Sequence, residues 1–509
     1  MGLNCPIESN HPEMKQPKLL SPHTIIFLVL IVAAIGTWLM PAGKYDTIRY
    51  DQDKFIVEGP DKHEELEATQ QSLNDLGIHI ELEKFENGDI FKPVTIPGTY
   101  QRLEKKPQGL VDIFLAPVKG MIETADIIIL VLMIGGLIAV YNKSGVLETA
   151  IGSLTSKLKG KEAILIVVVM LLMAAGGTTF GMSEETIAFY PVLVPAFLIA
   201  GYDLLIPIAV IFVGVHIGFM ASTTNPFAVI IASDTAGVSW TAGIVTRLIT
   251  LGVGLVLSSA YIIRYGSMVK RNPDASLVKK LQGDVKPPFK AEHKEGVKLD
   301  FRNALLLTVF LSSFVVMVVG VSKFGWWMEE MSAVFFASAI ISAFLMRMKE
   351  QVFVKTFIEG AADLIGVSLI IGIARGVTII MNDGLIIDTI LYYSSDLVSG
   401  MPPALFIVAL MVVFFVLSFF ISSSSGLAVL SMPIMGGLGA VIDVPAETIV
   451  TSYLFGAGLM FMVSPTGMIL PSLAMVNLTY STWIKFLWPL LTMLAIMGAI
   501  MLYADLYLI

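Results

Sequence analysis

Long apolar runs separated by short polar segments dominate the chain. Runs such as Thr24–Gly43 and Phe486–Tyr503 carry no charged residue. They are long enough for a helix to cross about 30 Å of hydrocarbon. The pattern predicts a multi-pass membrane protein. The predicted uninterrupted spans are residues 22–40, 117–141, 240–263, 303–320, 331–345, 357–381 and 483–503.

Four further apolar segments are interrupted by Gly, Ser, Thr and Pro. In two of them, two apolar limbs meet at a polar tip, and in the first of these segments each limb is about 15 residues long. This pattern predicts a re-entrant hairpin. Such a hairpin is tolerated at membrane depth only inside protein or beside a water-filled cavity. The other two segments predict helices broken in the middle. The hairpins are residues 162–203, with the tip at 176–185, and 403–441, with the tip at 422–426; the broken helices are residues 204–233, interrupted at 221–226, and 447–476, interrupted at 464–467.

These interruptions recur at one offset, which indicates an internal duplication. Ser183, Pro191 and Ser222 reappear 242 residues later as Ser425, Pro433 and Ser464. Each unit contains two spans, a hairpin, a broken span and a last span. Because a hairpin returns to its own side, the unit crosses the membrane four times and ends on the side where it began. The additional helix at 303–320 makes the second unit enter from the opposite face. The predicted fold class is an all-α polytopic membrane protein of two inverted repeats, with a small α+β insert.

The charges in the loops predict the orientation, because Lys and Arg in short loops mark the cytoplasmic side. Inverted repeats place the basic loops 143–161, 264–302 and 347–355 inside. The loops placed outside, 235–239, 382–401 and 442–446, contain no Lys or Arg, and Lys323 is the one exception to the rule. The N-terminus is therefore expected inside, and the insert and the C-terminus outside, in the inner membrane of a bacterium. The predicted organisation is an N-terminal segment (1–21), a first repeat (22–42 and 117–263), the insert (43–110), a basic linker (264–302), a connecting helix (303–322) and a second repeat (331–509).

The insert carries the acidic excess of the chain. Asp46–Glu104 holds fourteen Asp and Glu against six Lys and Arg, which accounts for the whole net charge of −8. Residues 47–57 alternate polar and apolar and residues 94–100 return in the same way, whereas 64–76 has a helical pattern. We expect a structural cap or a dimer contact. A role in gathering substrate is the alternative, which no sequence feature supports.

Composition excludes several classes of protein. The chain is 55% apolar and 15% charged, unlike a soluble enzyme. No basic stripe supports nucleic-acid binding, and Cys5 is the single cysteine, so no intramolecular disulfide is possible. An HExxH metal motif is absent, and Ser425-Gly426 lacks the glycine that precedes the serine of intramembrane serine proteases. We expect no enzymatic activity, no catalytic residue, no metal centre and no cofactor other than Na⁺ or H⁺ as a coupling ion.

The interruptions carry the candidate chemistry. A broken helix leaves carbonyls free at one half-end, which suit cations, and N–H groups free at the other, which suit anions. The candidate substrate ligands are Ser183, Glu184, Glu185, Thr186, Thr224, Asn225, Ser424, Ser425, Gly426, Thr466 and Gly467. The candidate ion ligands are Ser183, Ser222, Thr223, Asn225, Ser425, Ser464 and Thr466.

The chain resembles the DcuC/YfcC-type carriers of the ion transporter superfamily over nearly its whole length. The resemblance lies in GGTTFGMSEET (residues 176–186), STTNPF (222–227), SSSSGLAVLSMPIMG (422–436) and SPTGMILP (464–471). It implies a secondary transporter whose hairpin tips hold a substrate carboxylate and Na⁺. It also implies a homodimer in which hairpins and broken helices move as a transport domain against a scaffold, an elevator mechanism. Relatives are proposed to exchange basic amino acids or to carry C4-dicarboxylates.

Glu184 and Glu185 stand at the first tip, where the dicarboxylate pattern has neutral residues. One interpretation is that Glu184 or Glu185 receives a substrate ammonium or guanidinium, or a coupling cation. The other is that Ser183 caps a helix and both acids complement its dipole, which suits Glu185 better. A carboxylate in the membrane costs roughly 2.5–3.5 kcal/mol on insertion scales, so an unpaired carboxylate there would destabilise the protein.

Three other polar residues of the apolar segments have competing interpretations. Arg375 could bind substrate, pair with an acid on another helix or extend outward. His216 could carry protons or pack in the core, and Arg247 fits a structural role. The hydroxyls of Ser222, Thr223 and Thr224 could instead bond to their own helix.

The predicted function is a secondary active transporter, an antiporter or ion-coupled symporter, of an amino acid, with basic amino acids favoured. The alternative is a Na⁺- or H⁺-coupled carrier of C4-dicarboxylates or other carboxylates. A channel and an intramembrane enzyme are the remote alternatives. The expected partners are the small-molecule substrate, the lipid bilayer and a second copy of the chain, with no nucleic acid.

Overall fold

The protein is predominantly helical in the part of the chain that the computed structural model describes, residues 20–147, 149–150, 160–283, 285 and 300–508. Ten helices in this part are long and apolar enough to cross a membrane. The prediction of a multi-pass helical protein is therefore supported. Lys157 and Lys159 of the predicted basic loop, and most of residues 284–299 of the predicted linker, lie outside the described residues.

The helices of the first half include the first broken segments. They are α1 (Pro22–Leu39), α2 (Gln70–Asp75), α3 (Leu82–Glu86), α4 (Leu110–Glu123), α5 (Ala125–Ser144), α6 (Glu162–Thr179), α7 (Tyr190–Ile199), α8 (Leu205–Met220), α9 (Ile231–Thr235), α10 (Ile244–Arg271) and α11 (Leu277–Gln282). Short 3₁₀ segments occupy Glu184–Phe189 and Pro273–Ala275, and a π turn occupies Pro226–Ile230.

The helices of the second half follow the same order of elements. They are α12 (Phe301–Phe324), α13 (Met328–Leu345), α14 (Glu350–Asp363), α15 (Ile365–Asp383), α16 (Ile387–Val398), α17 (Pro403–Phe420), α18 (Ser424–Val441), α19 (Ala446–Phe461), α20 (Ile469–Met475) and α21 (Tyr480–Tyr507). All four predicted interruptions are present: between α6 and α7, between α8 and α9, between α17 and α18, and between α19 and α20.

Two predicted single spans are each a pair of helices. The span at 117–141 is α4 and α5, separated at Thr124, and the span at 357–381 lies in α14 and α15, separated at Leu364. The two break residues are 240 apart, close to the repeat offset. Neither break contains the Gly or Pro that usually marks one, so the sequence pattern could not reveal them.

Glycines hold these two helix pairs together. The pairs run antiparallel, with α4 against α15 and α5 against α14. A Cβ on Gly120 would lie 2.1 Å from the carbonyl oxygen of Gly372, and one on Gly135 would lie 2.4 Å from the carbonyl oxygen of Gly360. Small residues allow this approach of backbones, which is how helices pack when both solvent and neighbours are apolar.

Other boundaries differ from the prediction. The loop at 382–401 contains helix α16, and α10 continues past residue 263 to Arg271, into the predicted linker. The first limb of the first hairpin, α6, has 18 residues and includes Gly176 and Gly177, which were assigned to the tip. Both limbs of the second hairpin also have 18 residues. The first limb of the first hairpin is therefore longer than predicted, because glycine is tolerated inside a packed apolar helix. Its second limb is shorter, since α7 has 10 residues and follows the 3₁₀ segment Glu184–Phe189.

The insert is a small α+β unit with two sheets. Strands β2 (Thr47–Asp51), β3 (Lys54–Glu58), β4 (His63–Glu67) and β5 (Val94–Thr95) form one sheet in the order β4-β3-β2-β5, and β1 (Ala42–Lys44) pairs with β6 (Gln101–Leu103). Ile48, Phe55 and Leu73 are fully buried beneath them. The helix predicted at 64–76 is present only at Gln70–Asp75, because residues 63–67 pair with β3 as an edge strand. The α+β prediction is otherwise consistent with this fold.

The insert lies on the face formed by two of the loops that lack Lys and Arg. The backbone N–H of Gly43 donates to the carbonyl of Leu385, and the ring of Tyr100 stacks on Tyr392 at 4.2 Å. Both partners belong to the segment 382–401. A Cβ on Gly237, in the segment 235–239, would lie 2.7 Å from the carbonyl oxygen of His79 of the insert.

The buried apolar residues form two clusters. The larger one joins the insert, both hairpins and both broken helices. The smaller one lies among α5, α12, α13 and α14, around Tyr141, Phe310 and Phe335. The hydroxyl of Tyr141 donates to the carbonyl of Leu306 and accepts from Ser342 at 2.6 Å, which ties α5 to α12 and α13.

The glycine contacts predict that Gly→Ala substitution at the helix crossing lowers stability, the opposite of its effect in an ordinary helix. In an ordinary helix this change stabilises by about 0.5–1 kcal/mol, and Gly436→Ala, where a Cβ meets nothing within 4 Å, should do so. Gly120→Ala should destabilise by about 1–3 kcal/mol through overpacking. Thermal unfolding of both purified variants in one detergent checks the difference. An equal or higher melting temperature for Gly120→Ala would contradict the tight crossing.

Candidate functional site

The four interruptions meet around one cavity of about 610 Å³. Each contributes polar residues to the wall, and α4, α5 and α15 contribute charged ones. The residues from the interruptions that line it are Gly181, Met182, Ser183, Glu184, Asn225, Phe227, Ser422, Ser423, Ser424, Ser425, Thr466, Gly467 and Met468. The cavity is thus the place where the sequence-predicted chemistry is brought together.

At the first tip, the two adjacent glutamates have different roles. Gly181 has a φ of +76°, which turns the chain after α6. The carboxylate of Glu185 is buried and accepts the backbone N–H of Ser183 at 2.9 Å, and the hydroxyl of Thr186 donates to the carbonyl of Ser183. Glu184 lines the cavity, whereas Glu185 and Thr186 do not. Ser183 makes no side-chain capping bond, so the serine cap of the second interpretation is not observed.

The first broken helix is fastened to the end of α6. The hydroxyl of Thr178 donates to the carbonyl of Ala221 at 2.6 Å, and the backbone N–H groups of Thr223 and Thr224 donate to the carbonyl of Thr178. Asn225 lines the cavity but also caps the π turn, since its side chain accepts from the N–H of Phe227. Asn225 therefore stabilises the turn and also borders the cavity.

The hydroxyls next to Asn225 are engaged elsewhere. Ser222 donates to the carbonyl of Phe219 at 2.7 Å, Thr223 to that of Thr178 at 3.2 Å and Thr224 to that of Thr179 at 3.1 Å. None of the three lines the cavity. Ser222 thus fits the alternative in which the hydroxyl bonds to its own helix, whereas Thr223 and Thr224 bond to the end of α6 instead.

The second tip and the second broken helix repeat this arrangement. The hydroxyl of Thr466 donates to the carbonyl of Phe419, at the end of α17, at 2.8 Å. The hydroxyl of Ser423 accepts the N–H of Gly426 at the start of α18, and Ser424 donates to the carbonyl of Phe227 in the first break. Ser424, Ser425, Thr466 and Gly467 line the cavity; Ser464, which lies 2.6 Å from the Thr466 hydroxyl, and Gly426 do not.

Two carboxylates and one guanidinium come from the helix pairs that the sequence pattern had read as single spans. The break at Thr124 places Glu123 and Asp126 on the cavity wall, and Arg375 of α15 faces them. The Nε of Arg375 lies 2.7 Å from Oε2 of Glu123. Of the interpretations considered for Arg375, pairing with an acid on another helix is the one observed.

Lys92 of the insert also reaches the cavity, and sequence reasoning missed it. Its ammonium donates to the hydroxyl of Ser423 at 3.1 Å and to that of Ser425 at 2.7 Å. Burial lowers the pKa of Lys92, and the nearby Arg375 lowers it further. No sequence pattern indicated this contact, because the insert was interpreted as a separate extramembrane unit.

His216 and Arg247 fit structural roles. The Nδ1 of His216 lies 2.7 Å from the carbonyl of Phe212, and the two rings are 4.3 Å apart, although the histidine also borders the cavity. The guanidinium of Arg247 donates to the carbonyls of Trp240 and Ala242, just before α10. These carbonyls precede the helix and would otherwise lack partners.

The chain is similar to known membrane carriers. The DcuC family, described as C4-dicarboxylate anaerobic carrier, matches residues 20–507. An uncharacterized protein of Haemophilus influenzae is 39% identical over 490 residues, covering 95% of this chain and 96% of that protein. A protein of Escherichia coli named as the putative basic amino acid antiporter YfcC is 26% identical over 499 residues, covering 94% of each chain.

Two solved transporter structures align over most of the chain with low similarity. The YdaH transporter of Alcanivorax borkumensis has a TM-score of 0.40 at 13% identity and covers 94% of this chain and 97% of its own. MtrF of Neisseria gonorrhoeae, described with a class of antimetabolite efflux pumps, has a TM-score of 0.41 at 14% identity, with 97% and 96% covered. The resemblance inferred from the four interruption motifs is confirmed by the family match over residues 20–507: this chain belongs to the DcuC family of carriers.

Proposed function

We propose that this carrier is a secondary active transporter of a basic amino acid of the arginine or ornithine type. The observation that carries the proposal is the charge on the cavity wall, which includes three carboxylates and two cations: Glu123, Asp126, Glu184, Lys92 and Arg375. Glu123 and Arg375 neutralise each other at 2.7 Å. Two carboxylates and one ammonium are left, which complements a substrate with two positive groups and one carboxylate.

A C4-dicarboxylate is the second candidate, and the description of the family supports it. Such a substrate would bring two negative charges to a wall that already carries an excess of carboxylates. Like charges in a site of low polarity repel strongly. The name of the Escherichia coli relative, a putative basic amino acid antiporter, agrees with the first candidate.

Alternating access is the proposed mechanism, by antiport or by coupling to Na⁺ or H⁺. Broken elements in corresponding places of two inverted repeats are typical of such transporters. Thr224 and Thr466, which are 242 residues apart, each donate to a carbonyl at the end of the preceding hairpin limb, that of Thr179 and that of Phe419, and this recurrence supports the duplication. The division of the core into two clusters supports an elevator in which the hairpins move against α5, α12, α13 and α14.

The proposed setting is a homodimer in a bacterial inner membrane, with the N-terminus inside and the insert and C-terminus outside. The insert rests on segments 235–239 and 382–401, which lack Lys and Arg. Loops of that composition are typical of the side opposite the cytoplasm. In this orientation the cavity lies beneath the insert.

The substrate class predicts which ligands stabilise the purified protein. A ligand that binds only the folded state at about 100 times its Kd adds about 2.7 kcal/mol to the free energy of unfolding. Arginine and ornithine should raise the melting temperature, and neutral amino acids should do so less. Succinate and malate should have no effect, with and without Na⁺. A shift with succinate or malate alone would contradict the proposal.

The two glutamates of the first tip should respond differently to neutralisation. Glu184→Gln removes a carboxylate from the cavity and should weaken uptake of arginine into proteoliposomes about ten- to hundredfold, the loss expected for a hydrogen bond to a charged group. Glu185→Gln is the matched control, because Glu185 does not line the cavity and its carboxylate accepts the backbone N–H of Ser183. Its effect should fall on thermal stability and leave the arginine KM nearly unchanged.

The elevator predicts that a link between the two clusters stops transport. Phe189, in the second limb of the first hairpin, packs against Phe314 of α12 with 4.9 Å between ring centres. In a Cys5→Ser background, cysteines at 189 and 314 joined by a short bifunctional reagent should abolish uptake. Cysteines at 141 and 310, whose rings are 4.8 Å apart within the smaller cluster, provide the control. Uptake that survives the first link would refute an elevator.

A further inference from the structure

We infer that Lys92 of the insert binds the carboxylate of the substrate and so makes the insert part of the binding site. The inference rests on the proposed function, because an amino acid is the substrate that offers a single carboxylate. It assigns a specificity role to a residue outside the membrane-spanning helices. The insert then discriminates between an amino acid and the amine that lacks its carboxylate.

The first argument is the position of the ammonium. Lys92 lines the cavity, and its Nζ lies 3.1 Å from the hydroxyl of Ser423 and 2.7 Å from that of Ser425. An ammonium has three N–H donors. Two of them are used by the second hairpin tip, and one remains for a ligand in the cavity.

The second argument is the missing counter-charge. Within the described residues, no carboxylate lies within 4.0 Å of Lys92, whereas the other cation on the wall, Arg375, is paired with Glu123. A partly buried ammonium without an acid is costly, and a bound carboxylate would relieve that cost. The unbalanced positive charge of Lys92 therefore matches one negatively charged group of a ligand.

The third argument is that the insert holds Lys92 firmly in place. On one side, Lys84 lies 3.3 Å from the buried carboxylate of Asp234. On the other, the backbone N–H of Tyr45 donates to Asp388 of α16 at 3.0 Å. Strand β5 begins two residues after Lys92 and pairs with β2. The ammonium is thus presented by a folded support, as a specific ligand requires.

Glu184 supplies the opposite end of the site. It lines the same cavity from the first hairpin tip, while Lys92 approaches from the second. An amino acid between them would set its carboxylate against Lys92 and its cationic groups toward Glu184 and Asp126. A substrate without a carboxylate would lose only the contact with Lys92.

The test compares arginine with agmatine, which keeps the guanidinium and lacks the carboxylate. Their dissociation constants are measured by calorimetry on the purified full-length protein. Lys92→Gln should weaken arginine about ten- to hundredfold and leave agmatine unchanged, and Lys92→Arg should retain most of the arginine affinity. Lys54→Gln is the matched control, since Lys54 is an exposed insert lysine paired with Glu65 outside the cavity.

Other outcomes would overturn the assignment. An equal loss for arginine and agmatine in Lys92→Gln would mean that Lys92 only supports the fold. A gain in arginine affinity would mean that the lysine competes with the substrate. If the wild-type protein binds succinate and neither arginine nor agmatine, the amino acid proposal fails alone. Weaker succinate binding by Lys92→Gln would then uphold the carboxylate site, and unchanged succinate binding would refute it. A protein that binds none of these ligands would refute both.

Discussion

Backbone groups freed inside a hydrocarbon layer must find partners within the protein, because the lipid offers none. This constraint organises the centre of the molecule. Each hairpin ends its first limb beside the break of the following helix, and a threonine hydroxyl joins the two: Thr178 to the carbonyl of Ala221, and Thr466 to that of Phe419. The breaks are therefore grouped by necessity, and the polar cavity forms where they meet.

The charged side chains are subject to the same requirement for polar partners. A carboxylate in this environment persists when a cation, a backbone N–H or water is at hand. Glu185 takes a backbone N–H and Glu123 takes the guanidinium of Arg375. Glu184 and Lys92 face the cavity instead. Adjacent glutamates thus separate into one that supports the tip and one that is open to a ligand.

The sequence predicted the interruptions well, because Gly, Pro and runs of Ser and Thr are local signals that a helix cannot continue. It did not predict the breaks at Thr124 and Leu364, which arise where glycine-rich faces of two helix pairs cross. It also did not predict that Lys92 lines the cavity, since this residue is 331 and 333 positions along the chain from its hydroxyl partners, Ser423 and Ser425. Local pattern thus identified one part of the cavity wall, and the rest depends on packing between distant segments.

The crossing of α4 and α15 has a consequence for how this sequence can change. The atom that excludes a side chain at Gly120 is the carbonyl oxygen of Gly372, and every residue type carries that oxygen. A second substitution can usually relieve a clash between side chains by making one of them smaller. Here no such compensation exists, so Gly120 can be replaced only if the two helices move apart. At this crossing, no substitution of a neighbouring side chain can make room for a residue larger than glycine.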